Sequence, residues 1–456
     1  MKKITLFFLI IFFTTLYANK QLNLVIDSLN NGLKIYLIQD KTFPLVQVRI
    51  AITGGSSIDP ENYDGITYLT AQMLLKGTEK KTSQEIAEEF EFLGSSINVT
   101  TDYDYTLLSS EFLKYNFKNG LEILSEILTK PTFPSDEFYK LQNKHIGELR
   151  SSLENSNFVA NEFFKKIIFN NLSYSRNPKG TIKSVSNLSV RNIRNHYKKN
   201  FLPNLTSIII YGDIDTSSVI TLIKEYFSQW KRGNINLKRN SNISPIHSKV
   251  ILIDKPGLTQ SQIRIGKLAF SKNFPDELPT FLANTILGDG FTSRLVTELR
   301  VKNSLTYGVS SKFNLYKDGG YFVISTFTKN STTGKTIEIS LKELEKFHNN
   351  LISVKEFQKA KNYMIGEFSR DFQSPSSIIN KITETIIYQI KFEDYLDNYI
   401  DKIKNTKISE IEDVIRKYFS KDDVVILIVG DKKEIKNQLE KFGDILEIHY
   451  EKLIMN

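Results

Sequence analysis

Histidine and cysteine, the side chains that most often bind catalytic metals in proteins, are sparse in this sequence. The chain contains no cysteine, and its histidines, at positions 145, 196, 247, 348 and 449, are at least 51 residues apart. Two imidazoles on one helix reach a common zinc ion when they lie four residues apart, because that spacing places them one turn above each other. The sequence therefore offers no histidine pair of this kind, no thiolate zinc site and no disulfide.

The stretch DGITYLTAQMLLKGT, residues 64–78, has the pattern of a buried helix. Ile66, Leu69 and Met73 fall on one apolar stripe, and Gly77 supplies a stop signal. The polar positions of this helix hold Tyr and Gln, whose side chains are neutral at pH 7. Between Gly65 and Lys76 the helix thus has no charged or imidazole side chain.

An internal duplication organises the chain. Three pairs of segments recur in the same order. EFYKLQNKHIGE from Glu137 matches EFQKAKNYMIGE from Glu356 at a shift of 219 residues, and the strand–Gly-Asp–helix segments around Gly212 and Gly430 match at a shift of 218. YLTAQMLLKG from Tyr68 matches FLANTILGDG from Phe281 at a shift of 213. A tandem repeat of about 215 residues explains all three, because unrelated segments would not keep both order and spacing. We expect two homologous units, residues 19–229 and 250–456, joined by a polar linker at residues 230–249.

Within each unit, strand and helix patterns mix without regular alternation, which predicts an α+β fold with a mainly antiparallel sheet and packed helices. The stretch SSINVTTDYDYTLLSSEF, residues 95–112, alternates apolar and polar residues. We expect one strand there, with Val99, Tyr103, Tyr105 and Leu107 sharing a face.

The first residues, MKKITLFFLIIFFTTLYANK, have the organisation of a secretory signal peptide, with cleavage expected after Ala18. The apolar run from Ile4 to Leu16 is shorter than the roughly 20 residues that cross a bilayer as a helix. We therefore expect a signal peptide at residues 1–18, export to the periplasm and no stable membrane insertion. The net charge of +9 comes from scattered lysines without a basic stripe, which argues against nucleic acid as a partner.

Taken together, these features resemble the pitrilysin and insulinase family of zinc metallopeptidases, especially two-domain members such as mitochondrial processing peptidase and bacterial heterodimeric relatives. The resemblance spans NGLKIYLIQDKTFPLVQVRIAITGGSSIDP, HYKKNFLPNLTSIIIYGD and GDGFTSRLVTELRVKNSLTYGVSS, and so nearly the whole mature chain. It implies two duplicated α+β units that face each other like a clam shell.

Active members of that family carry His-x-x-Glu-His on the helix equivalent to residues 64–78. The resemblance places Tyr68 and Gln72 at the histidine positions, Ala71 at the position of the general base, and Glu148, 76 residues after Gln72, at that of the third ligand. Neutral Tyr and Gln oxygens compete poorly with imidazole for zinc, and Ala71 cannot accept a proton. We expect no metal at this helix.

The second unit departs less from the family pattern. The resemblance implies that Arg300 holds a substrate carbonyl and that Tyr307 stabilises the oxyanion formed when water attacks it, because both donors suit developing negative charge. Without the resemblance, Arg300 is a solvated residue and Tyr307 an aromatic residue at the start of a strand. A weaker implication is that Asn98 lies where a peptide aligns against a sheet edge.

These observations favour a non-catalytic subunit of a heterodimeric zinc peptidase that acts on peptides or unfolded polypeptides. This chain carries no cofactor, and a homologous partner subunit supplies the zinc and the base. The alternative is a peptide-binding or structural scaffold with the same fold. A third hypothesis, a catalytic chain with unusual metal ligands, requires a metal site that the sequence does not offer.

Overall fold

The computed structural model describes residues 23–170, 172–237, 249–392 and 398–455. Strands in these residues form two six-stranded sheets, one in each unit. The first sheet contains Leu24–Ser28 (β1), Lys34–Gln39 (β2), Leu45–Thr53 (β3), Ile97–Thr101 (β4), Tyr105–Leu113 (β5) and Thr206–Gly212 (β6). The second contains Lys249–Asp254 (β7), Gln260–Ala269 (β8), Val309–Tyr316 (β9), Gly319–Lys329 (β10), Val425–Gly430 (β11) and Ile445–His449 (β12).

The two sheets share one topology over five of their strands. The strand orders are β1-β2-β6-β3-β5-β4 and β12-β7-β11-β8-β10-β9. The pair β2–β6 of the first sheet and the pair β7–β11 of the second are parallel. In each sheet, the three strand pairs that follow in this order are antiparallel. The sixth strand differs, since β1 runs antiparallel to β2 whereas β12 runs parallel to β7. The expected fold, two homologous α+β units with mainly antiparallel sheets, is therefore confirmed.

Helices pack on both sheets, and several of them begin at polar caps. Thr82 and Ser353 each form a capping box with the Glu three residues later, which satisfies two exposed backbone amides at each of these helix starts. The first unit contains α-helices Ile66–Met73 (α1), Ser83–Phe92 (α2), Phe117–Thr129 (α3), Ser135–Ser152 (α4), Ser156–Phe169 (α5), Ile182–Ser186 (α6), Val190–Asn200 (α7) and Thr216–Phe227 (α8). The second contains Glu277–Asn284 (α9), Thr333–Asn349 (α10), Val354–Asp371 (α11), Pro375–Tyr388 (α12), Tyr399–Asn405 (α13), Ile408–Tyr418 (α14), Lys432–Leu439 (α15) and Lys452–Met455 (α16).

Short helical turns complete these elements. The helix α1 continues as a 3₁₀ turn, Leu74–Lys76, which ends at Gly77 with φ of 149°. In the second unit, α9 continues as the π-helical turn Thr285–Asp289, and a second π-helical segment, Val296–Lys302, follows the loop at residues 290–293. Insertions of π-helix are frequent at functional sites. Further 3₁₀ turns are Ser56–Ile58, Lys114–Asn116, Ser173–Ser175, Pro203–Leu205, Asn330–Thr332 and Glu440–Phe442.

One face of each sheet packs against helices of its own unit. In the first unit, alternate strand residues such as Val48 and Ile210 share a buried cluster with α1, α3 and α8. In the second, Ile263 and Ile428 do the same with α9, α10 and α14. Successive strand side chains point to opposite faces, so each sheet has a second apolar face that needs another cover.

The second face of each sheet is covered by a helix from the other unit. Phe163 and Phe164 of α5, in the first unit, pack on Ile251 and Leu427 of the second sheet. Ile379 of α12, in the second unit, is buried in a cluster with strand residues of the first sheet. Each sheet therefore depends on a helix of the other unit to cover its second face.

Two buried arginines tie the exchanged helices to the sheets. Arg264 on β8 donates from Nε to Asn161 Oδ1 of α5 at 2.8 Å, and also donates to Asn157. At the equivalent place in the first sheet, Arg49 on β3 donates from Nε to Asn380 Oδ1 of α12 at 3.1 Å. Burial lowers the pKa of Arg264 to about 10, so the guanidinium stays charged at neutral pH. The Nε of each arginine is thus bonded to an asparagine of the other unit, and its terminal nitrogens also donate within its own unit.

A further contact joins the turns of two hairpins. Asp104, in the turn between β4 and β5, accepts hydrogen bonds from the Lys317 backbone amide at 2.8 Å and from the Tyr174 hydroxyl at 2.8 Å. The Tyr316 ring, at the end of β9, stacks on Tyr174 and contacts Tyr103 edge-on. The single strand expected over residues 95–112 was therefore wrong: residues 102–104 form a turn, because Asp102 and Asp104 bind backbone and side-chain donors there.

Parts of the sequence-based organisation lie outside the described residues. These parts are the expected signal peptide at residues 1–18 and positions 238–248 of the expected linker. In the described ranges, no helix combines the length and the apolar character that a membrane span requires.

Replacing Asn161 by Leu should lower the free energy of unfolding by about 1–3 kcal/mol, because the buried Arg264 Nε donor loses its acceptor. Denaturant unfolding of the mature chain measures this change. Lys166→Leu, at an exposed position of the same helix, is the matched control. If both variants unfold at the same denaturant concentration, the arginine–asparagine bond does not stabilise the helix exchange.

Candidate functional site

A buried polar network fixes the start of α1. Gly65 precedes the helix in the left-handed conformation, with φ of 90°, and its amide donates to Asp59 Oδ2 at 2.9 Å. The Thr67 hydroxyl donates to Asp59 Oδ1 at 2.5 Å and lies 2.8 Å from His196 Nε2. Burial raises the pKa of Asp59, and its hydrogen bonds and Arg176 oppose that rise. This network connects the loop before α1 to α7 and orients the helix.

The two central positions of α1 have no group that could act on a water molecule. Ala71 is fully buried, and its methyl group belongs to the apolar cluster of the first unit. The Gln72 side chain donates from Nε2 to the Val99 carbonyl of β4 at 2.9 Å. Gln72 therefore links the helix to the last strand of the sheet.

Tyr68 and Glu148 lie close together, with a histidine beside them. The Tyr68 ring packs on the His145 ring with 4.8 Å between centroids, and burial followed by the charge of Glu148 raises the pKa of Tyr68. His145 is buried, its Nε2 lies 2.8 Å from the Lys179 carbonyl, and its Nδ1 lies 3.5 Å from Glu148 Oε2. A backbone carbonyl only accepts hydrogen bonds, so Nε2 carries a proton and donates it. This nitrogen is therefore not available to a metal.

The residues at this helix do not fit a zinc ion. Tyr68 supplies a neutral hydroxyl, Gln72 supplies an amide already bonded to the sheet, and Glu148 supplies one half-exposed carboxylate. Zinc sites in proteins need imidazole, thiolate or several carboxylates. Over the described ranges, no group of three or more His, Cys, Asp or Glu side chains could hold a metal ion.

The equivalent positions of the second unit are no better suited to a metal. Phe281 corresponds to Tyr68, and Glu367 corresponds to Glu148 at the 219-residue shift. Asn284 lies at the position equivalent to Ala71. Its Nδ2 donates to the Ser311 carbonyl of β9 at 2.9 Å, and its Oδ1 accepts from the Ser311 hydroxyl at 2.6 Å. The duplication therefore kept two helices of one design, and both serve packing.

Arg300 and Tyr307 occupy an exposed part of the second unit. Arg300 lies on the π-helical segment Val296–Lys302, and Tyr307 lies just before β9 with 85% of its side chain exposed. The guanidinium carbon of Arg300 is 5.4 Å from the centroid of the Phe291 ring, itself 75% exposed. Among the described residues, no hydrogen bond or ion pair holds Arg300. Both donors are thus open to solvent.

Asn98 lies on β4, the last strand of the first sheet, opposite Ser109 of β5. Its side chain is exposed. An edge strand with exposed side chains can pair with an extended peptide. The proposed contact of Asn98 with substrate remains a prediction.

The structure brings some of the predicted residues together and leaves others apart. Tyr68 and Glu148 are neighbours, and Gln72 bonds to the residue after Asn98. The contact of Arg300 is with Phe291 and not with α1 or α4. Sequence reasoning missed His145 and Phe291. The first was detectable as a residue one helical turn before Glu148, and the second as an apolar residue after a Gly-Asp-Gly turn.

Comparison with protein-family models gives two matches. A model described as insulinase, peptidase family M16, matches residues 34–179. A model described as the peptidase M16 inactive domain matches residues 187–364. The two models belong to one family and together span most of the chain.

Individual relatives share low identity over nearly full length. One is an uncharacterized zinc protease, YmxG, of Bacillus subtilis, 23% identical over 87% of this chain and 96% of the relative. Another, from Helicobacter pylori, is named a non-peptidase homolog and is 23% identical over 89% of this chain and 94% of the relative. These two relatives carry opposite descriptions of activity.

Solved structures share the fold. The peptidase M16 inactive domain structure from Pseudomonas fluorescens superposes with a TM-score of 0.84 at 24% identity, over 90% of this chain and 98% of that one. A structure described as a protease from Helicobacter pylori gives a TM-score of 0.79 at 19% identity, over 90% of this chain and 99% of that one.

The purified mature chain should hold no stoichiometric zinc and should cleave no peptide alone, because Tyr68, Ala71 and Gln72 stand where the family resemblance places two ligands and the base. Metal analysis after dialysis and a fluorogenic peptide assay measure the two properties. One tightly held zinc per chain, lost in Glu148→Ala, would contradict the degenerate site.

His196 should make the fold sensitive to acid. Burial lowers the pKa of His196 from 6.5 to about 3. As the pH falls below 6.5, the unfolded chain takes up a proton that the folded chain does not, so stability is lost. Between pH 7 and pH 5 this group should lower the free energy of unfolding by about 2 kcal/mol.

Denaturant unfolding at both pH values, for the natural chain and for His196→Asn, isolates this contribution. The natural chain should lose more stability on acidification than the variant. Equal losses would show that the protonation of His196 is not coupled to unfolding.

Proposed function

Because the chain belongs to peptidase family M16, we propose that it is the non-catalytic subunit of a heterodimeric zinc metalloendopeptidase. A homologous partner subunit carries the zinc and the general base. This chain supplies the Arg300 guanidinium and the Tyr307 hydroxyl to the partner's site and encloses part of the peptide. The substrates are peptides or unfolded polypeptides, and the setting is the periplasm.

The exposure of Arg300 and Tyr307 is the observation that carries this proposal. A residue kept for packing loses solvent contact, whereas 85% of the Tyr307 side chain is exposed. Arg300 likewise has no carboxylate partner among the described residues, although Lys302, two residues later, pairs with Glu298. A guanidinium and a hydroxyl that the fold leaves unused are suited to a substrate bound from outside.

The closed state of α1 supports the assignment of the zinc to the partner. Ala71 is enclosed in apolar packing, Gln72 is bonded to β4, and the His145 ring lies against Tyr68. Binding a metal there would require breaking these contacts as well as supplying ligands. The chemistry is therefore best placed on a second chain with intact ligands.

In the proposed complex, Arg300 binds the carbonyl of the peptide bond or of a neighbouring residue. Its fixed positive charge favours the state in which that oxygen gains negative charge. The Tyr307 hydroxyl donates a hydrogen bond to the oxyanion. A zinc ion held by the partner would supply Lewis-acid activation of the attacking water, and the partner's base would accept the proton.

A scaffold that binds peptides without cleaving them is the second candidate. The Helicobacter pylori relative named a non-peptidase homolog favours it. If the chain is a scaffold, removal of the Arg300 and Tyr307 side chains changes no rate of peptide hydrolysis, because no partner subunit catalyses that reaction.

Arg300→Ala and Tyr307→Phe should each lower turnover by the complex, and the Phe variant by roughly 100-fold to 1000-fold, as for loss of one oxyanion donor. The complex is isolated from the cell envelope by cross-linking to the mature chain, and the rate is measured with a fluorogenic peptide. Zinc content and assembly should stay unchanged, because neither side chain packs in the fold.

Tyr115→Phe and Arg416→Ala are matched controls, since both alter exposed residues outside the proposed site. Full activity in a complex with both Arg300→Ala and Tyr307→Phe would reject the assigned roles. If cross-linking captures no zinc-bearing chain, the scaffold is the better explanation.

A further inference from the structure

One helix of the first unit, α7, has an exposed side whose charged residues are all cations. These four residues, which we call the basic face, are Arg191, Arg194, Lys198 and Lys199. The opposite side of the helix is buried and carries Ile193 and His196. At a rise of 1.5 Å per residue, the basic face extends over about 12 Å of the helix. Although lysines are scattered over the chain as a whole, this helix brings four cations together.

No carboxylate compensates the charge of the basic face. Over the described ranges, none of its four cations forms an ion pair. Arg194 donates to the backbone carbonyls of Thr132 and Phe133, at 3.1 and 3.2 Å, and these groups carry no net charge. The chain around the helix adds no carboxylate either, since residues 176–200 contain seven Lys or Arg and no Asp or Glu. The positive charge is therefore available to an anionic partner.

Arg191 lies where a helix disfavours a cation. Ser189 caps α7, so Arg191 belongs to the first turn, which contains no acidic residue. The positive end of the helix dipole lies at this terminus, where a carboxylate stabilises the helix and a cation destabilises it. Lys198 and Lys199, in the last turn, instead suit the negative end of the dipole. Helix stability therefore accounts for the two lysines but not for Arg191.

A cavity of about 490 Å³ beside the basic face is close to neutral. Besides Lys198, its charged lining residues are three lysines and three glutamates: Lys80, Lys130, Lys231, Glu122, Glu126 and Glu225. Glu126 is buried, and its Oε1 accepts a hydrogen bond from the Thr78 hydroxyl at 2.6 Å. These lysines and glutamates offset each other, so the uncompensated charge lies on the helix. An extended anionic surface fits this arrangement better than a small anion in the cavity.

The basic face offers no apolar anchor to a protein partner. Within the part of the chain that the structure describes, no exposed large apolar or aromatic side chain lies on α7, or on α3 and α8, which line the same cavity. Protein interfaces draw most of their binding energy from a few well-packed anchors, often aromatic, at a desolvated centre. A fluid layer of anionic lipid headgroups requires neither such anchors nor a fitted shape, because it attracts each nearby Lys or Arg by charge.

We propose that the basic face of α7 binds the chain reversibly to an anionic lipid surface, such as one that contains phosphatidylglycerol. Arg191, Lys198 and Lys199 contact the lipid phosphates, and Arg194 adds its charge. The helix lies on the headgroups and does not enter the hydrocarbon region. The export expected from the first residues of the sequence favours lipid over nucleic acid, because it takes the chain across a membrane. This proposal does not depend on the proposed function.

The test measures binding of the purified mature chain to lipid vesicles by co-sedimentation. One set of vesicles contains equal parts of phosphatidylglycerol and phosphatidylcholine, and the other contains phosphatidylcholine alone. At low salt, the chain should bind the anionic vesicles at least about 10-fold more strongly, because each cation near an anionic surface contributes roughly 5-fold. Binding should be lost near about 1 M salt, where the Debye length is about 3 Å.

The combined variant Arg191→Gln, Lys198→Gln and Lys199→Gln should weaken binding to the anionic vesicles by at least about 10-fold, because three of the four cations are removed. Arg194 is kept, since its guanidinium holds two backbone carbonyls. Arg191→Gln alone should weaken binding by roughly 5-fold, and it keeps the test valid if the combined variant fails to fold.

The matched control combines Lys335→Gln, Lys342→Gln and Lys355→Gln, which removes three exposed cations from α10 and α11 of the second unit. It loses the same net charge and should keep the binding of the natural chain. Equal binding to the two kinds of vesicle, no binding to the anionic vesicles at low salt, or equal losses in the two combined variants would overturn the proposal. Tighter binding to soluble poly-glutamate or to an oligonucleotide than to the anionic vesicles would also overturn it, and would assign the basic face to a polypeptide or a nucleic acid.

Discussion

Two buried arginines, one on each sheet, join the two units, because the Nε of each donates a hydrogen bond to an asparagine on a helix of the other unit. Arg49 reaches Asn380 of α12, and Arg264 reaches Asn161 of α5. A buried guanidinium N–H without an acceptor is destabilising, so each sheet loses stability when the opposite helix is removed. The relative position of the two units is therefore fixed by the same bonds that complete their cores.

This constraint explains how the two units came to differ in use. In the first unit, α1 lies under its sheet with Ala71 in the core and Gln72 bonded to β4, so its polar face serves structure. In the second unit, the equivalent helix runs into π-helical turns, and the chain then carries Phe291, Arg300 and Tyr307 at the surface. The exchanged helices keep the framework rigid, which leaves these surface residues able to change without loss of the fold.

Much of this organisation could be predicted from the sequence. The apolar stripe of residues 64–78 and the duplicated segments identified α1 and the two units, because periodicity and order survive divergence of individual residues. The helix exchange could not be predicted, because the strands and helices show the same apolar pattern whether the covering helix comes from the same unit or from the other. A signal was nevertheless present: Gln47-Val48-Arg49-Ile50 and Gln262-Ile263-Arg264-Ile265 repeat at a shift of 215, with polar residues in strands that are otherwise apolar. The turn at residues 102–104 was missed because two aspartates in an alternating stretch resemble outward-facing strand residues.

The reciprocal helix exchange also bears on the origin of the chain. A protein made of one unit alone would expose one face of its sheet and leave the Nε of its arginine without its asparagine acceptor. Two identical copies that each lent a helix to the other would remove both defects, which is the arrangement of a domain-swapped symmetric dimer. Joining such copies end to end converts a concentration-dependent association into an intramolecular one. Once joined, the copies no longer need to be identical, and each half is free to evolve separately.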